Sequence, residues 1–423
     1  MQFSTDKNFA LAADREDPLK SFRSQFCIPK RGGKELVYFC GNSLGLEPKN
    51  VEKFIARELK TWQDKAVEGH FSGKNPWVDY HKFLRPLIAQ IAGATEKEVV
   101  VANSLTVNLH LLLTTFYRPK GKKKKILVEH LPFSSDWYAF EAHAKLHGYD
   151  PKDIIEEIKP KPGSYYLSTE KIIETIEKQE GEIALIVLGG INYLTGQAFD
   201  LSAIALAARK RNILFGLDLA HAIGNIPLKL HDWEVDFAVW CSYKYLNAGP
   251  GGVGGYFIHE KHATNSELPR LAGWWGNNEK TRFKMEKGFD PIPTAEGWQL
   301  SNAPVLSMAA QWSALEIFQK AGMEKVREKS IALTGYLEYL LNEHIINKGD
   351  NLNLKILTPK NPEARGCQLS LSIQKDALKA YKAISEAGFI VDYREPDIIR
   401  VAPTPLYNQF IEVFRFVNFL KAL

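Results

Sequence analysis

The amino-acid sequence predicts an α/β fold, a mainly parallel sheet covered by helices, followed by a smaller α+β domain. Two observations carry this. Wholly apolar strand candidates, Ile183 to Leu188 and Phe237 to Cys241 among them, alternate with amphipathic helical segments. Strands apolar on both faces belong inside a parallel sheet. After Pro304 the alternation stops, and two long helical stretches precede short strands. The 423 residues are 45% hydrophobic and 24% charged, enough to bury a large core without disulfides or metals.

In chain order, Val37-Tyr38-Phe39 is a strand ending at the turn Gly41 to Gly45. Helical spacing covers Val51 to Trp62 and Val78 to Ile91. Val99 to Val101 is a strand, Asn103-Ser104 marks a helix start, and Leu105 to Phe116 is helix. Strands follow at Ile126 to Val128, Ile183 to Leu188, Ile213 to Leu217, Phe237 to Cys241 and Val253 to Ile258. Helices at Asp136 to His147, Thr169 to Lys178 and Leu201 to Lys210 separate them. Beyond Pro304 come helices Val305 to Lys320 and Met323 to Asn342, then Leu354 to Ile356, Gln368 to Ile373, a helix from Asp376, Ile390-Val391, Ile398 to Val401 and a closing helix Tyr407 to Leu423. This divides the chain into an N-terminal segment (1–70) packing with the small domain, a large domain (71–304) and a small domain (305–423).

Composition excludes several classes. The net charge of +5 is modest. The run Lys122 to Lys125 is short, lacks interleaved aromatics, and fits a solvated turn better than a nucleic-acid site. Cys27, Cys40, Cys241 and Cys367 lie far apart, which argues against a disulfide framework or a zinc site. The charged Met1 to Lys20 stretch has no apolar signal region, and no apolar run reaches the ~18 residues of a membrane helix. The expectation is a soluble cytoplasmic protein with no metal.

Two motifs mislead. Gly249 to Gly254 fits G-x-G-x-x-G, but it runs into the strand Val253 to Ile258, whereas a dinucleotide fingerprint opens a helix. Gly41-Asn42-Ser43-Leu44-Gly45 fits G-x-S-x-G in a strand–turn–helix context, so a serine hydrolase using Ser43 is a competing reading. The turn precedes most of the sheet, however, and Asp218 and His221 stand too close together to supply a separate acid and base.

The stretch Asp218 to Gly255 carries the chemistry. Asp218 closes a buried strand, the place where open α/β sheets bind ligands. Lys244 follows another strand end, ahead of a glycine-rich turn. Pyridoxal phosphate needs a lysine for a Schiff base, a carboxylate for its pyridine nitrogen and donors for its phosphate. Lys244 and Asp218 supply the first two, and the helix start at Ser104-Leu105-Thr106 supplies the third.

The sequence resembles the kynureninase family, within fold type I of the pyridoxal-phosphate enzymes, over nearly its whole length. The resemblance rests on Phe39 to Leu46, Asp218-Leu219-Ala220-His221-Ala222, Leu230-His231-Asp232-Trp233, Trp240 to Gly249, Gly273-Trp274 and Arg400-Val401-Ala402-Pro403. It implies a seven-stranded sheet, a homodimer, and hydrolysis of the Cβ–Cγ bond of L-kynurenine or 3-hydroxy-L-kynurenine in tryptophan catabolism and NAD biosynthesis. It also implies roles. Lys244 anchors the cofactor and works at Cα, Asp218 pairs with the ring nitrogen, and Tyr243 is a proton donor. Leu105, Thr106 and Tyr243 bind the phosphate side, Phe133 stacks on the ring, and Asp136 and His221 border it. Trp274 and Asn302 reach in from the partner subunit. Arg400 holds the substrate carboxylate, with Ser43, His70, Ser301 and Asn302 around the substrate. Two positions depart from the pattern: Gly189 stands where some relatives carry serine, and Asn277 where eukaryotic members often carry histidine. Within the same fold a cysteine desulfurase or an aminotransferase is the rival, Cys367 being the desulfurase candidate, read here as a strand residue.

Overall fold

The computed structural model describes residues 2–349 and 352–423. The larger sheet has seven strands: β1 (Val99–Val101), β2 (Lys125–Val128), β3 (Ile155–Glu157), β4 (Ile183–Gly189), β5 (Leu214–Asp218), β6 (Phe237–Trp240) and β7 (Gly255–Ile258). Their order is β1-β7-β6-β5-β4-β2-β3. Only β7 runs against its neighbours, β1 and β6.

The apolar runs are explained by two cores, one on each face. Leu127, Ile186, Leu188 and Leu217 enter one core, while Ile126, Val128, Leu185 and Val187 enter the other. Successive residues of a strand point to opposite faces, so a strand covered on both sides has no position left for a polar residue. The covering helices include α1 (Leu105–Phe116) and α2 (Ser134–Leu146).

The second sheet is antiparallel, with β8 (Leu354–Ile356), β9 (Leu369–Ile373), β10 (Asp392–Arg394) and β11 (Ile398–Val401) in the order β8-β9-β11-β10. Part of the N-terminal segment packs here, while its Leu19, Phe26, Leu46 and Phe54 enter the first core. Ala10, Ala13, Val37 and Phe39 share a core with Leu369, Val401 and Phe416, and Val37–Tyr38 pairs in parallel with Phe389–Ile390. Helix α3 (Val305–Ala321) gives Met308, Leu315 and Phe318 to the first core, and α4 (Met323–His344) gives Leu333, Leu337 and Leu341 to this one. The change of core therefore falls inside α4 and not at Pro304.

Several local expectations are corrected. The helix Lys7–Glu16, built around the apolar residues Phe9 to Ala13, is additional to the expected elements, and the strands β3 and β10, which carry no apolar run, escape a periodicity reading. The helix expected over Val78 to Ile91 begins at Tyr80, after a 3₁₀ turn Trp77–Asp79. The turn at Gly41 to Gly45 does not open a helix, which begins only at Val51. The last helix is Phe410–Leu420, started by a reciprocal cap between Gln409 and Glu412. Among the described residues no helix is long and apolar enough to cross a membrane.

Candidate active site

Strands β2, β4 and β5 end side by side, and their ends deliver the site. Gly189 closes β4 and pairs with Asp218, which closes β5. Glu129 follows β2, and its Oε2 accepts the Gly189 N–H at 2.9 Å. Asp136, in the first turn of α2, lines the same corner beside Asp218. Asp218 is oriented by the Ala220 N–H, 2.7 Å from Oδ1. Three carboxyl groups thus share one buried corner, and among the described residues none has an ion-pair partner. Burial pushes Glu129 up to about 7, with the Asp218 charge adding and the Gly189 N–H opposing. Burial and then Asp218 hold Asp136 well above the usual carboxylate range.

Lys244 lines the same pocket, just after β6. Its Nζ is 2.9 Å from His221 Nε2 and 5.7 Å from the centre of the Phe133 ring. Burial keeps His221 neutral, and Lys244, Arg400 and Arg394 push the same way. The lysine backbone is buttressed by the N-terminal glycine turn. Gly45 donates its N–H to the Tyr243 carbonyl at 2.7 Å, and a Cβ on Gly45 would stand 2.3 Å from the Lys244 carbonyl oxygen. Close approach is why glycine occupies position 45. Ser43 lies in the same turn, its N–H donated to the Cys40 carbonyl at 2.9 Å, and among the described residues no histidine hydrogen-bonds it, so the hydrolase reading fails. Gly249 to Gly254 leads into β7, so the dinucleotide reading fails too.

Leu105, Thr106, Phe133, Asp136, Asp218, His221, Tyr243 and Lys244 all line one pocket. Burial pushes the Tyr243 hydroxyl above its usual value, which keeps it protonated. Arg400, buried on β11, reaches the rim: its Nη1 donates to the carbonyl of Tyr193 at 2.9 Å, and Tyr193 lines the pocket. His70, Trp274, Ser301 and Asn302 are not in this pocket. Trp274 is 47% exposed, and Ser301 and Asn302 are exposed. Phe283 lies 5.4 Å from Trp274 and 6.1 Å from Phe71, and a Cβ on Gly273 would stand 2.2 Å from Leu300 Cα, so these residues form one outer patch. Asn277 shares that loop, its side chain accepting the Asp290 N–H at 2.8 Å.

Several pocket residues escaped the sequence reading, Glu129 and Tyr193 among them. Glu129 had a signal, being a carboxylate just past a strand end, as Asp218 is at one. Tyr193, in the loop after β4, had none. The departure at Gly189 has a physical reason, since a Cβ there would lie 2.8 Å from Glu129 Oε1.

Pyridoxal phosphate suits these residues. The unpaired carboxyl corner matches a cationic ring nitrogen. Lys244, its Nζ over the Phe133 ring, lines the same pocket as that corner. No side chain caps the first turn of α1, which leaves its N–H groups for a phosphate. Residues 37–354 match the aminotransferase class-V family, and solved structures agree on the fold. A cysteine desulfurase from Escherichia coli has a TM-score of 0.74 at 16% identity, over 96% of this chain and 98% of that one. A cystine C–S lyase variant with glycine covalently linked to its pyridoxal-phosphate cofactor also has a TM-score of 0.74, at 18% identity, over 94% and 98%. Fold and site together define a fold-type-I pyridoxal-phosphate enzyme.

Residues 326–420 match the kynureninase C-terminal domain. Kynureninases of Koribacter versatilis and Myxococcus xanthus are each 49% identical, over 98% and 99% of this chain and 97% of each relative. That of Flavobacterium psychrophilum is 46% identical over 100% of this chain and 99% of its own. The chain belongs to the kynureninase family and is a pyridoxal-phosphate-dependent hydrolase. Cys367 agrees in leaving the desulfurase reading without support. It lies in a bend before β9 and not in the strand, fully buried, its thiol pushed up to about 12 by burial.

Proposed function

We propose that the enzyme hydrolyses the Cβ–Cγ bond of L-kynurenine and of 3-hydroxy-L-kynurenine, releasing anthranilate or 3-hydroxyanthranilate and L-alanine. One observation carries the reading of the site. Lys244 and the three-carboxyl corner line one pocket, whose rim is tied to Arg400 through the Tyr193 carbonyl. When bound, the cofactor supplies an electron sink for charge that develops at Cα and Cβ.

The chain's own groups do the rest. Asp218, fixed by the Ala220 N–H, would pair with the ring nitrogen of the bound cofactor, Leu105 and Thr106 would hold its phosphate, and Phe133 would cover its ring. Arg400 takes the substrate carboxylate and sets Cα before Lys244. The Lys244 amine moves the proton at Cα, and neutral His221, 2.9 Å away, accepts a hydrogen bond from it without adding charge. A water adds to the γ-carbonyl and the bond to Cβ breaks. The Tyr243 hydroxyl, kept protonated by burial, returns a proton to Cβ of the alanine fragment.

The outer patch completes the site from a second copy. In this reading the protein is a cytoplasmic homodimer, in which Trp274 and Asn302 reach the cofactor of the partner subunit and His70, Ser301 and Ser43 border the substrate ring. The reaction serves tryptophan catabolism and NAD biosynthesis. The test is product analysis of the purified enzyme with each kynurenine and with L-cysteine. Equimolar anthranilate and alanine from L-kynurenine are expected. Sulfide from L-cysteine, or a keto acid without alanine, would overturn the assignment.

A further inference from the structure

Arg400 and Asp392 sit directly opposite each other on the antiparallel strands β11 and β10, and directly opposed residues share one face of a sheet. Arg394 lies two residues along the same strand and therefore on that face. The three side chains are joined. Asp392 Oδ1 accepts from Nε of Arg400 at 2.8 Å and from Nε of Arg394 at 2.8 Å, and its Oδ2 accepts from Nη2 of Arg394 at 3.2 Å. Arg400 is 1% exposed. Its Nη1 donates to the Tyr193 carbonyl at 2.9 Å, and that carbonyl is itself held by Gln368 Nε2 at 3.1 Å.

A guanidinium has five N–H donors in a planar fork. Nε is committed to Asp392 and one N–H of Nη1 to Tyr193. The side edge, Nε with Nη2, is therefore closed to a ligand. The end edge, Nη1 with Nη2, is the remaining bidentate edge for a carboxylate. Asp392 does not cancel the charge this requires, because two guanidinium groups share one carboxylate and the triad keeps a net positive charge. Arg400 meets the pocket rim at the Tyr193 carbonyl, which brings that charge to the site.

We propose that Asp392 is a positioning residue that turns Arg400 so that its end edge meets the substrate carboxylate. The proposal rests on the reading that Arg400 binds this carboxylate. Positioning and plain charge predict opposite signs. Asp392→Ala removes a negative charge near an anion-binding site, so a purely electrostatic role tightens carboxylate binding. A positioning role weakens it, because Arg400 loses the acceptor that fixes its plane. Asp392→Asn keeps an oxygen acceptor on Nε while removing the same charge, so it restores what Asp392→Ala loses.

The experiment uses the holoenzyme and inhibition by L-alanine and by L-alaninamide, which lacks the carboxylate, alongside KM and kcat for L-kynurenine. In Asp392→Ala the preference for alanine over the amide should fall, and KM rise, by about tenfold or more, the worth of one charge-assisted hydrogen bond, with kcat changed less. Asp392→Asn should stay within about threefold of the parent. Tighter alanine binding in both variants overturns the proposal. Should Asp392→Ala lose its cofactor and fold, Asp392→Asn decides alone, since a tenfold gain in alanine affinity contradicts positioning. Arg400→Lys separates the two levels. Lost carboxylate preference there, with both Asp392 variants unchanged, overturns the role of Asp392 only. An unchanged preference in Arg400→Lys overturns the role of Arg400 and the proposal with it.

Discussion

Replacing Glu129 by glutamine removes a buried acid while keeping its shape and its acceptor for the Gly189 N–H. The carboxyl is pushed by burial from the ordinary 4.5 to about 7 in the folded protein. A raised carboxyl holds its proton more tightly when folded, so the folded protein is penalised wherever the unfolded chain has already released it. Below about pH 4.5 there is no penalty, between 4.5 and 7 it grows, and above 7 it is constant. At ~1.4 kcal/mol for each pH unit between the two values, the full penalty is about 3 kcal/mol. Glutamine does not ionise and escapes it. Urea unfolding of cofactor-free parent and Glu129→Gln at several pH values measures this. The variant should gain about 3 kcal/mol relative to the parent between pH 4.5 and pH 8, most of it before pH 7. A stability difference that does not change with pH, or a variant that loses ground as pH rises, would refute the reasoning, because it would mean that Glu129 is ionised and supported inside the fold.

Other expectations concern the anchor, the ring nitrogen and the outer patch. Asp218→Ala should lower kcat about a hundredfold or more while substrate binding changes less, since a preorganised charge acts on the transition state, and near-normal kcat with cofactor bound would remove Asp218 from its role. Gly45→Ala places a methyl group 2.3 Å from the Lys244 carbonyl, which should cost about 1–3 kcal/mol in thermal stability and reduce cofactor occupancy. Phe283→Asp puts a charge among Phe71 and Trp274, and sedimentation should show the parent as a dimer and the variant shifted toward monomer, with activity lost in step.

The parts of the site legible in the sequence are those with a positional rule. Asp218 closes an apolar strand and Lys244 follows another, and the ends of parallel strands converge, so both could be placed without knowing the strand order. Glu129 obeys the same rule but is followed by His130, Leu131 and Pro132, which resemble an exposed loop, and nothing in the spacing reports that two other carboxyl groups stand beside it. The Asp392–Arg400 pair was invisible for another reason. Strand β10 is three half-buried polar and aromatic residues, so no apolar alternation marks it, and without the strand there is no register. The same holds for β3, an edge strand with two glutamates. Ser43 shows the converse. Its motif is clear in the sequence, yet the geometry assigns the glycine at position 45, and not the serine, to supporting the lysine loop.

The central claim is that Lys244 carries the cofactor in the pocket that the Asp218 corner lines. Borohydride reduction of the purified enzyme, followed by peptide mass analysis, tests it directly. The account predicts a visible absorption band that reduction abolishes, a pyridoxyl group on the peptide containing Lys244, and neither band nor label in Lys244→Ala, which should also fail to release anthranilate from L-kynurenine. A label on another lysine, or anthranilate release by Lys244→Ala at the parental rate, would contradict it.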